Sequence, residues 1–313
     1  MSRLHPAVEN SQVSIGSELP ALERAFLIER SFGVSRTGFA ESSWTRHVPS
    51  TKAVDGRLFI LGGFCGVEKA YYPVTKELIA NGVETVTIEL PTYQRWHHQY
   101  HTEHSRHPER LLAQMARRVI LDVNDKFGKE RSHGAGHSTG GPAEAQAADF
   151  DTGLFDSITL WNPAGTGKKG VVRHSVRGPQ VAFQAVKRLH LLRSNLNGHE
   201  KEIGKEYISY FGNAPRRGME AVAVSRSDIL PSLERVHRAG IHIGAILGWH
   251  DKFFPPEEVL PRLRTVMDDD RIIMLNTCHL GPLTHPKDTA DAQLELLQAY
   301  GQATQRVDSS KAA

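Results

Sequence analysis

From residue 57 onward, short runs of consecutive apolar residues alternate with longer stretches in which apolar positions recur every three or four residues. Runs of the first kind suit strands buried on both faces, and stretches of the second suit helices with one apolar stripe. Their alternation predicts an α/β fold with a mostly parallel central sheet and helices on both faces. Arg57-Leu-Phe-Ile-Leu-Gly-Gly reads as a buried strand ending in glycines, and 67–81 as a helix with Tyr72, Val74, Leu78 and Ile79 on its apolar face. Glu84 to Leu90 is the next strand, closed by Pro91. Glu109 to Phe127 carries Leu112, Met115, Val119, Ile120 and Val123 at helical spacing, with Gly128 as a stop. Phe155–Trp161, Ile241–Gly248 and Arg271–Asn276 are further strands, and Ala290–Tyr300 is a closing helix.

One segment breaks this rhythm. Between Gly165 and Pro231 no strand is evident, and Lys168, Lys169, Arg173, Arg177, Lys187, Arg188 and Arg193 occur over 168–199 without an acidic residue. The spacing of Val181, Ala185, Val186, Leu189 and Leu192 predicts a basic amphipathic helix inside an inserted helical subdomain. The expected organisation is therefore a core over 1–164 and 231–313, interrupted by a helical insert at 165–230. An ordinary solvated helix is the preferred reading of the charge run. A lid, a funnel for anionic substrate and a membrane-surface face are the alternatives. The first twelve residues and those after Thr304 read as loose tails.

Composition narrows the function classes. The chain has 313 residues, 39% apolar and 23% charged, as expected of a soluble globular protein with a sizeable core. Its formal charge of +3 is too small to imply a nucleic-acid partner. The opening residues lack an apolar signal core and no run is long enough for a membrane span, so a cytoplasmic location is expected. Cys65 and Cys278 are the only cysteines, too few for a disulfide framework or a cysteine-rich zinc site, and two buried reduced thiols are expected.

The candidate chemistry sits in Gly134-Ala-Gly-His-Ser-Thr-Gly-Gly141. Gly136-His137-Ser138-Thr139-Gly140 is a G-x-S-x-G pattern between an expected strand and an alanine-rich helix opened by Gly141-Pro142. The glycines allow strand and helix to approach where a Cβ would not fit, and the helix N-terminus aims N–H groups at developing negative charge. The preceding residues, Glu130-Arg-Ser-His-Gly-Ala135, are polar for a central strand, which calls for a short strand or for polar partners around it.

With these residues the chain resembles the α/β-hydrolase family over nearly its whole length, as a serine hydrolase with an inserted helical cap. The resemblance implies a nucleophile, an acid and a histidine in that chain order. Ser138 is the nucleophile it implies, Asp251 in Gly248-Trp-His-Asp-Lys-Phe-Phe-Pro255 the acid, and His279 the base. His285 and His250 are reserve bases, and Asp228 is a weaker acid because no strand precedes it. The implied oxyanion hole combines the N–H of Thr139 with that of Phe64, or alternatively Cys65, in Gly62-Gly-Phe-Cys65.

The expected reaction is acyl transfer to water from an ester-like small molecule, carboxylester or thioester, with no cofactor. Activity should fall as pH drops through the titration of a histidine base, about 6.5–7 for an unshifted group. A non-catalytic binding protein and an acyltransferase or lyase on the same fold are the alternatives. Two other motifs carry less. In Trp96–His107, His97 and His101 have helical metal-ligand spacing with Glu103 nearby, but the His-Glu-x-x-His order is absent and a loop at the site edge is expected, with no metal. Ala164-Gly-Thr-Gly-Lys-Lys169 lacks the first glycine and the final hydroxyl of a phosphate loop.

Overall fold

The computed structural model describes residues 27–37, 40–63, 68–89, 108–166 and 227–312. Strands β1 (Leu27–Thr37), β2 (Ala40–Pro49), β3 (Arg57–Leu61), β4 (Glu84–Glu89), β5 (Ser132–His137), β6 (Ser157–Trp161), β7 (His242–Gly248) and β8 (Ile272–Leu275) form one eight-stranded sheet. Its order is β1-β2-β4-β3-β5-β6-β7-β8. The six strands from β4 to β8 are mutually parallel, and β1 and β2 extend the sheet antiparallel beside β4.

Helices α1 (Glu68–Ala80), α2 (Pro108–Phe127), α3 (Gly140–Phe150), α4 (Leu230–Arg238), α5 (Pro256–Leu263), α6 (Gly281–Thr284) and α7 (Pro286–Ala312) connect or follow these strands. Alternate residues of β3 explain the layering. Phe59 and Leu61 join the core with α2, α3, α4 and α5, whereas Leu58 and Ile60 face α1 and α7. All four are fully buried, each contributing roughly 2 kcal/mol by its removal from water. No helix among the described residues is long and apolar enough to cross a membrane.

The hairpin β1–β2 was not predicted. Its buried positions include Ser31, Ser35, Ser42, Thr45, Arg46 and His47, so the strand signature of alternating apolar residues is missing. Charge pairing replaces part of it: Arg46 of β2 and the fully buried Arg57 of β3 both bond Glu84 of β4, and Arg57 also bonds Asn124 of α2. Burial is the largest influence on the Glu84 carboxyl and pushes its pKa up, but the hydrogen bonds and charges of Arg46 and Arg57 together bring it below the ordinary value.

One boundary and one buried position also differ from expectation. The closing helix extends from Pro286 to Ala312, through the region read as a loose tail. In α1 the deeply buried tyrosine is Tyr71, while Tyr72 is half-buried, because 71, 74 and 78 share the stripe that faces the sheet. The insert at 165–230 lies mostly outside the described residues. At its edges, the Ile229 N–H bonds the Gly165 carbonyl at 3.0 Å, so the chain leaves and re-enters the core at adjacent points.

Candidate active site

The order of the strands creates the site. After β3 the chain moves outward to β4 and then returns to place β5 on the other side of β3, so the connections diverge at the C-terminal ends of β3 and β5. Open α/β sheets bind ligands at such a reversal. Gly62 and Gly63 leave β3 there, and Ser138 leaves β5 beside them.

Ser138 has φ of 53°, in the left-handed region that non-glycine residues rarely occupy. The conformation is held from both sides: the Ser138 N–H bonds the Trp161 carbonyl at 3.0 Å, and the Ser138 carbonyl accepts from Gly141 and Ala164. A Cβ on Gly140 would lie 2.2 Å from the Leu61 carbonyl oxygen, and one on Gly136 would lie 2.7 Å from that of Gly140. Both glycines are therefore required for α3 to start this close to the sheet.

The polar character of β5 has a clear basis, since polar partners surround a strand whose six residues are all buried. His133 lies between the Ser157 hydroxyl and the Asp55 carbonyl, both at 2.9 Å. Gly134 and Gly136 make room for the Glu144 carboxyl of α3, which would collide with a Cβ at either position. Glu144 is fully buried, and neither carboxyl oxygen has a hydrogen-bond partner within ordinary geometry among the described residues. Burial pushes its pKa well above the ordinary value, which the nearby Gly136 N–H offsets only in part.

Burial therefore favours the neutral form of the Glu144 carboxyl in the folded protein. Because its folded pKa exceeds the ordinary 4.5, its contribution to stability is fully present below that value and is lost as pH rises through the folded pKa. We expect Glu144→Gln, which cannot ionise, to match the wild-type Tm near pH 4 and to exceed it at pH 8. Thermal melts across that range check this, and a difference that does not change with pH would show that Glu144 is not held neutral.

The other site groups arrive from strand ends on the far side of β6. Asp251 follows β7 and His279 follows β8. The two loops are joined by backbone bonds, Trp249 N–H to Leu275 and His250 N–H to Thr277, each at 2.9 Å. Asn162, at the end of β6 with φ of 43°, ties them further. Its side-chain oxygen accepts from the Gly248 N–H at 2.7 Å, and its amide donates to the His279 carbonyl at 3.2 Å. Sequence reading missed Asn162; a polar residue directly after a central strand was its one visible signal.

These connections bring Ser138, His279 and Asp251 together. His279 Nε2 lies 3.0 Å from Ser138 Oγ, and His279 Nδ1 lies 2.8 Å from Asp251 Oδ2. The second carboxylate oxygen, Oδ1, accepts the Phe253 and Phe254 N–H groups at 2.7 and 2.9 Å. Both phenylalanine rings pack on the His279 imidazole, with centroids 5.0 and 5.3 Å away. Asp251 is 3% exposed while Ser138 is 8% exposed, so the acid is shielded and the hydroxyl lies nearer the surface.

The reserve residues have other partners. His250 bonds Asn276, His285 bonds Thr284, and Asp228 forms an ion pair with Arg262. Thr139 begins the turn into α3 directly after Ser138. Phe64 and Cys65, the candidates for the second oxyanion donor, lie outside the described residues, as do His97, His101 and Glu103. Cys278 is half-buried rather than buried. Among the described residues no group of three metal-ligating side chains is present.

No protein-family model and no curated protein sequence matches the chain. Its backbone is similar to many solved structures. A candidate lipase from Acinetobacter baumannii AYE is 15% identical, covering 90% of this chain and 95% of its own, with a TM-score of 0.62. A carboxylesterase structure from the thaumarchaeon Nitrososphaera gargenis is 16% identical, covering 86% and 99%, with a TM-score of 0.59. The 2-hydroxy-6-oxo-6-phenylhexa-2,4-dienoate hydrolase of Rhodococcus sp. strain RHA1 is 19% identical, covering 86% and 99%, with a TM-score of 0.57. The chain has the α/β-hydrolase fold.

Proposed function

We propose that this protein is a serine hydrolase that cleaves an ester-like bond, carboxylester or thioester, in a small-molecule substrate. The observation that carries the reading is the hydrogen-bonded chain from Ser138 Oγ through His279 to Asp251, which begins on a serine held in a strained turn. A serine hydroxyl is a weak nucleophile at neutral pH, and this arrangement supplies what activates it. The neighbouring structures named for lipase, carboxylesterase and hydrolase activities agree with it at the level of fold.

In this mechanism His279 Nε2 takes the proton of Ser138 Oγ as the oxygen attacks the substrate carbonyl. The Asp251 carboxylate accepts a hydrogen bond from Nδ1–H and stabilises the imidazolium that forms. The oxyanion is held by the N–H of Thr139 and by that of Phe64 from the loop after β3. His279 then protonates the leaving group, and water releases the acyl group from Ser138 through the same steps in reverse roles. Every proton in the cycle is carried by these groups, so the reaction calls for no cofactor.

The segment between 165 and 230 acts as a cap in this reading. Ala164 bonds the Ser138 carbonyl, so the chain departs toward that segment beside the nucleophile. Its bases suit a substrate with an anionic part better than a nucleic acid, given the small net charge of the chain.

A panel of p-nitrophenyl acetate, butyrate and octanoate with a butyryl thioester tests the proposal. The expected result is a burst of p-nitrophenol stoichiometric with enzyme, followed by steady turnover. A folded protein that turns over none of these substrates argues for a binding role. Turnover that depends on an added alcohol or amine acceptor assigns the site to a transferase instead.

A further inference from the structure

We propose that Tyr71 and His137 form a one-way hydrogen-bond relay that runs from the glycine loop at Gly63 to the backbone of His279 and positions both halves of the catalytic centre. The inference rests on the serine-hydrolase reading of Ser138 and His279. It concerns two buried residues that the proton transfers of that mechanism do not use.

The Gly63 N–H donates to the Tyr71 hydroxyl at 2.7 Å, the hydroxyl lies 2.7 Å from His137 Nδ1, and His137 Nε2 lies 2.9 Å from the His279 carbonyl oxygen. Tyr71 is 2% exposed and His137 3%, so water does not compete for these groups. The chain of bonds thus joins the loop after β3 to the loop after β8 through the residue that precedes Ser138.

Its direction follows from what the end groups can do. A carbonyl oxygen only accepts, so His137 Nε2 must carry the proton that points at His279. In a neutral imidazole the other nitrogen is then bare, and Nδ1 must accept from the Tyr71 hydroxyl. The Tyr71 oxygen is left to accept from Gly63, whose N–H can only donate. Each of the three contacts is satisfied by a single arrangement of hydrogens. Burial, followed by the neighbouring His279, pushes the His137 pKa down to about 3, which keeps the ring in the neutral form that the arrangement requires.

The two ends of the relay are the places where misplacement would matter. Gly63 is the last described residue of the loop assigned to the oxyanion hole, and a Cβ there would lie 2.9 Å from that of Ser138. His279 is held by its side chain to Asp251 and by its backbone to His137 and Asn162. Losing the relay would free the loop and the imidazole to shift by fractions of an ångström, which lowers the rate of the chemical step more than substrate binding.

The experiment uses the full chain, with a p-nitrophenyl ester as substrate and a fluorophosphonate as a probe of the serine. Tyr71→Phe removes one oxygen and is expected to lower kcat roughly ten- to a hundred-fold with KM within about two-fold. His137→Gln retains one donor and one acceptor and is expected to recover most of the activity that His137→Leu loses. In the wild type, 15N-histidine NMR at pH 7 should show His137 protonated on Nε2 and bare on Nδ1, which reads the direction of the relay without any variant. A Tyr71→Phe enzyme with unchanged kcat, or with a change confined to KM, overturns the proposal. An Nδ1–H or doubly protonated His137 overturns it as well. If Tyr71→Phe does not fold, the comparison of Gln with Leu at 137 and the NMR decide, and equal activity of those two variants counts against the relay. A wild type that shows the Nε2–H form yet neither labels with fluorophosphonate nor hydrolyses the ester overturns the hydrolase reading, and the catalytic purpose of the relay with it.

Discussion

Ser138→Ala is expected to lower kcat by about a million-fold, leaving only what the oxyanion donors and substrate binding contribute over water. The substitution removes one oxygen atom from a residue held by backbone bonds to Trp161, Gly141 and Ala164. Its structural cost should be small, and relief of side-chain strain at φ of 53° is minor because the Cβ remains. Unchanged Tm with activity at background is the expected pair of results. A variant that keeps even one-hundredth of the wild-type rate would place the nucleophile elsewhere. His279→Ala should fall by a similar factor, since the groups of a triad act as a unit and their losses do not add.

Asp251→Asn should lower kcat by about ten-thousand-fold, for a reason visible in its hydrogen bonds. Asp251 Oδ1 accepts two backbone N–H groups, those of Phe253 and Phe254, while Oδ2 faces His279 Nδ1. An asparagine must keep its carbonyl oxygen toward the two donors, because an amide NH2 there would place donor against donor. Its NH2 is then turned to His279 Nδ1, which must become an acceptor. The ring proton moves to Nε2, the atom facing Ser138, and the imidazole can no longer take the serine proton. The geometry survives while the tautomer is wrong. Steady-state kinetics with a thermal melt checks this: a loss of activity without loss of Tm is expected, and activity within ten-fold of wild type would mean that Asp251 does not set the tautomer.

Different parts of this architecture were unequally legible from the chain. The parallel strands β3, β4, β6 and β7 could be read because buried parallel strands are short apolar runs, and Phe59, Ile88, Leu160 and Leu247 stand in such runs; the half-buried edge strand β8 is an apolar run as well. The positions of Ser138, Asp251 and His279 relative to strand ends followed from the same reading together with the glycine pattern. What could not be read is polarity that is buried. The hairpin β1–β2 places serines, Arg46 and His47 where apolar residues would announce a strand. Strand β5 reads Ser-His-Gly-Ala-Gly-His; Ser157 and Asp55, which satisfy His133, are distant from it in sequence, and Glu144, which fills the space over Gly134 and Gly136, stands on the following helix.

Tyr71 and Tyr72 differ in how much of their role the chain discloses. Adjacent residues on a helix differ by about 100° in direction, and it is Tyr71, not Tyr72, that stands at i, i+3 and i+7 with Val74 and Leu78, so helical spacing itself selects Tyr71 for the buried stripe. What the spacing does not disclose is the partner, since the Tyr71 hydroxyl meets His137 of another strand. The same holds for Asn162 and Glu144, since each acts through groups on other strands or helices.

The account depends most on Ser138 being chemically activated. Treating the folded wild-type protein at pH 8 with a fluorophosphonate and mapping the adduct by peptide mass spectrometry tests this directly. One phosphonyl group on Ser138, absent in His279→Ala and strongly slowed in Asp251→Asn, is the predicted result. A wild type that stays unmodified, or an adduct on any other residue, would contradict it.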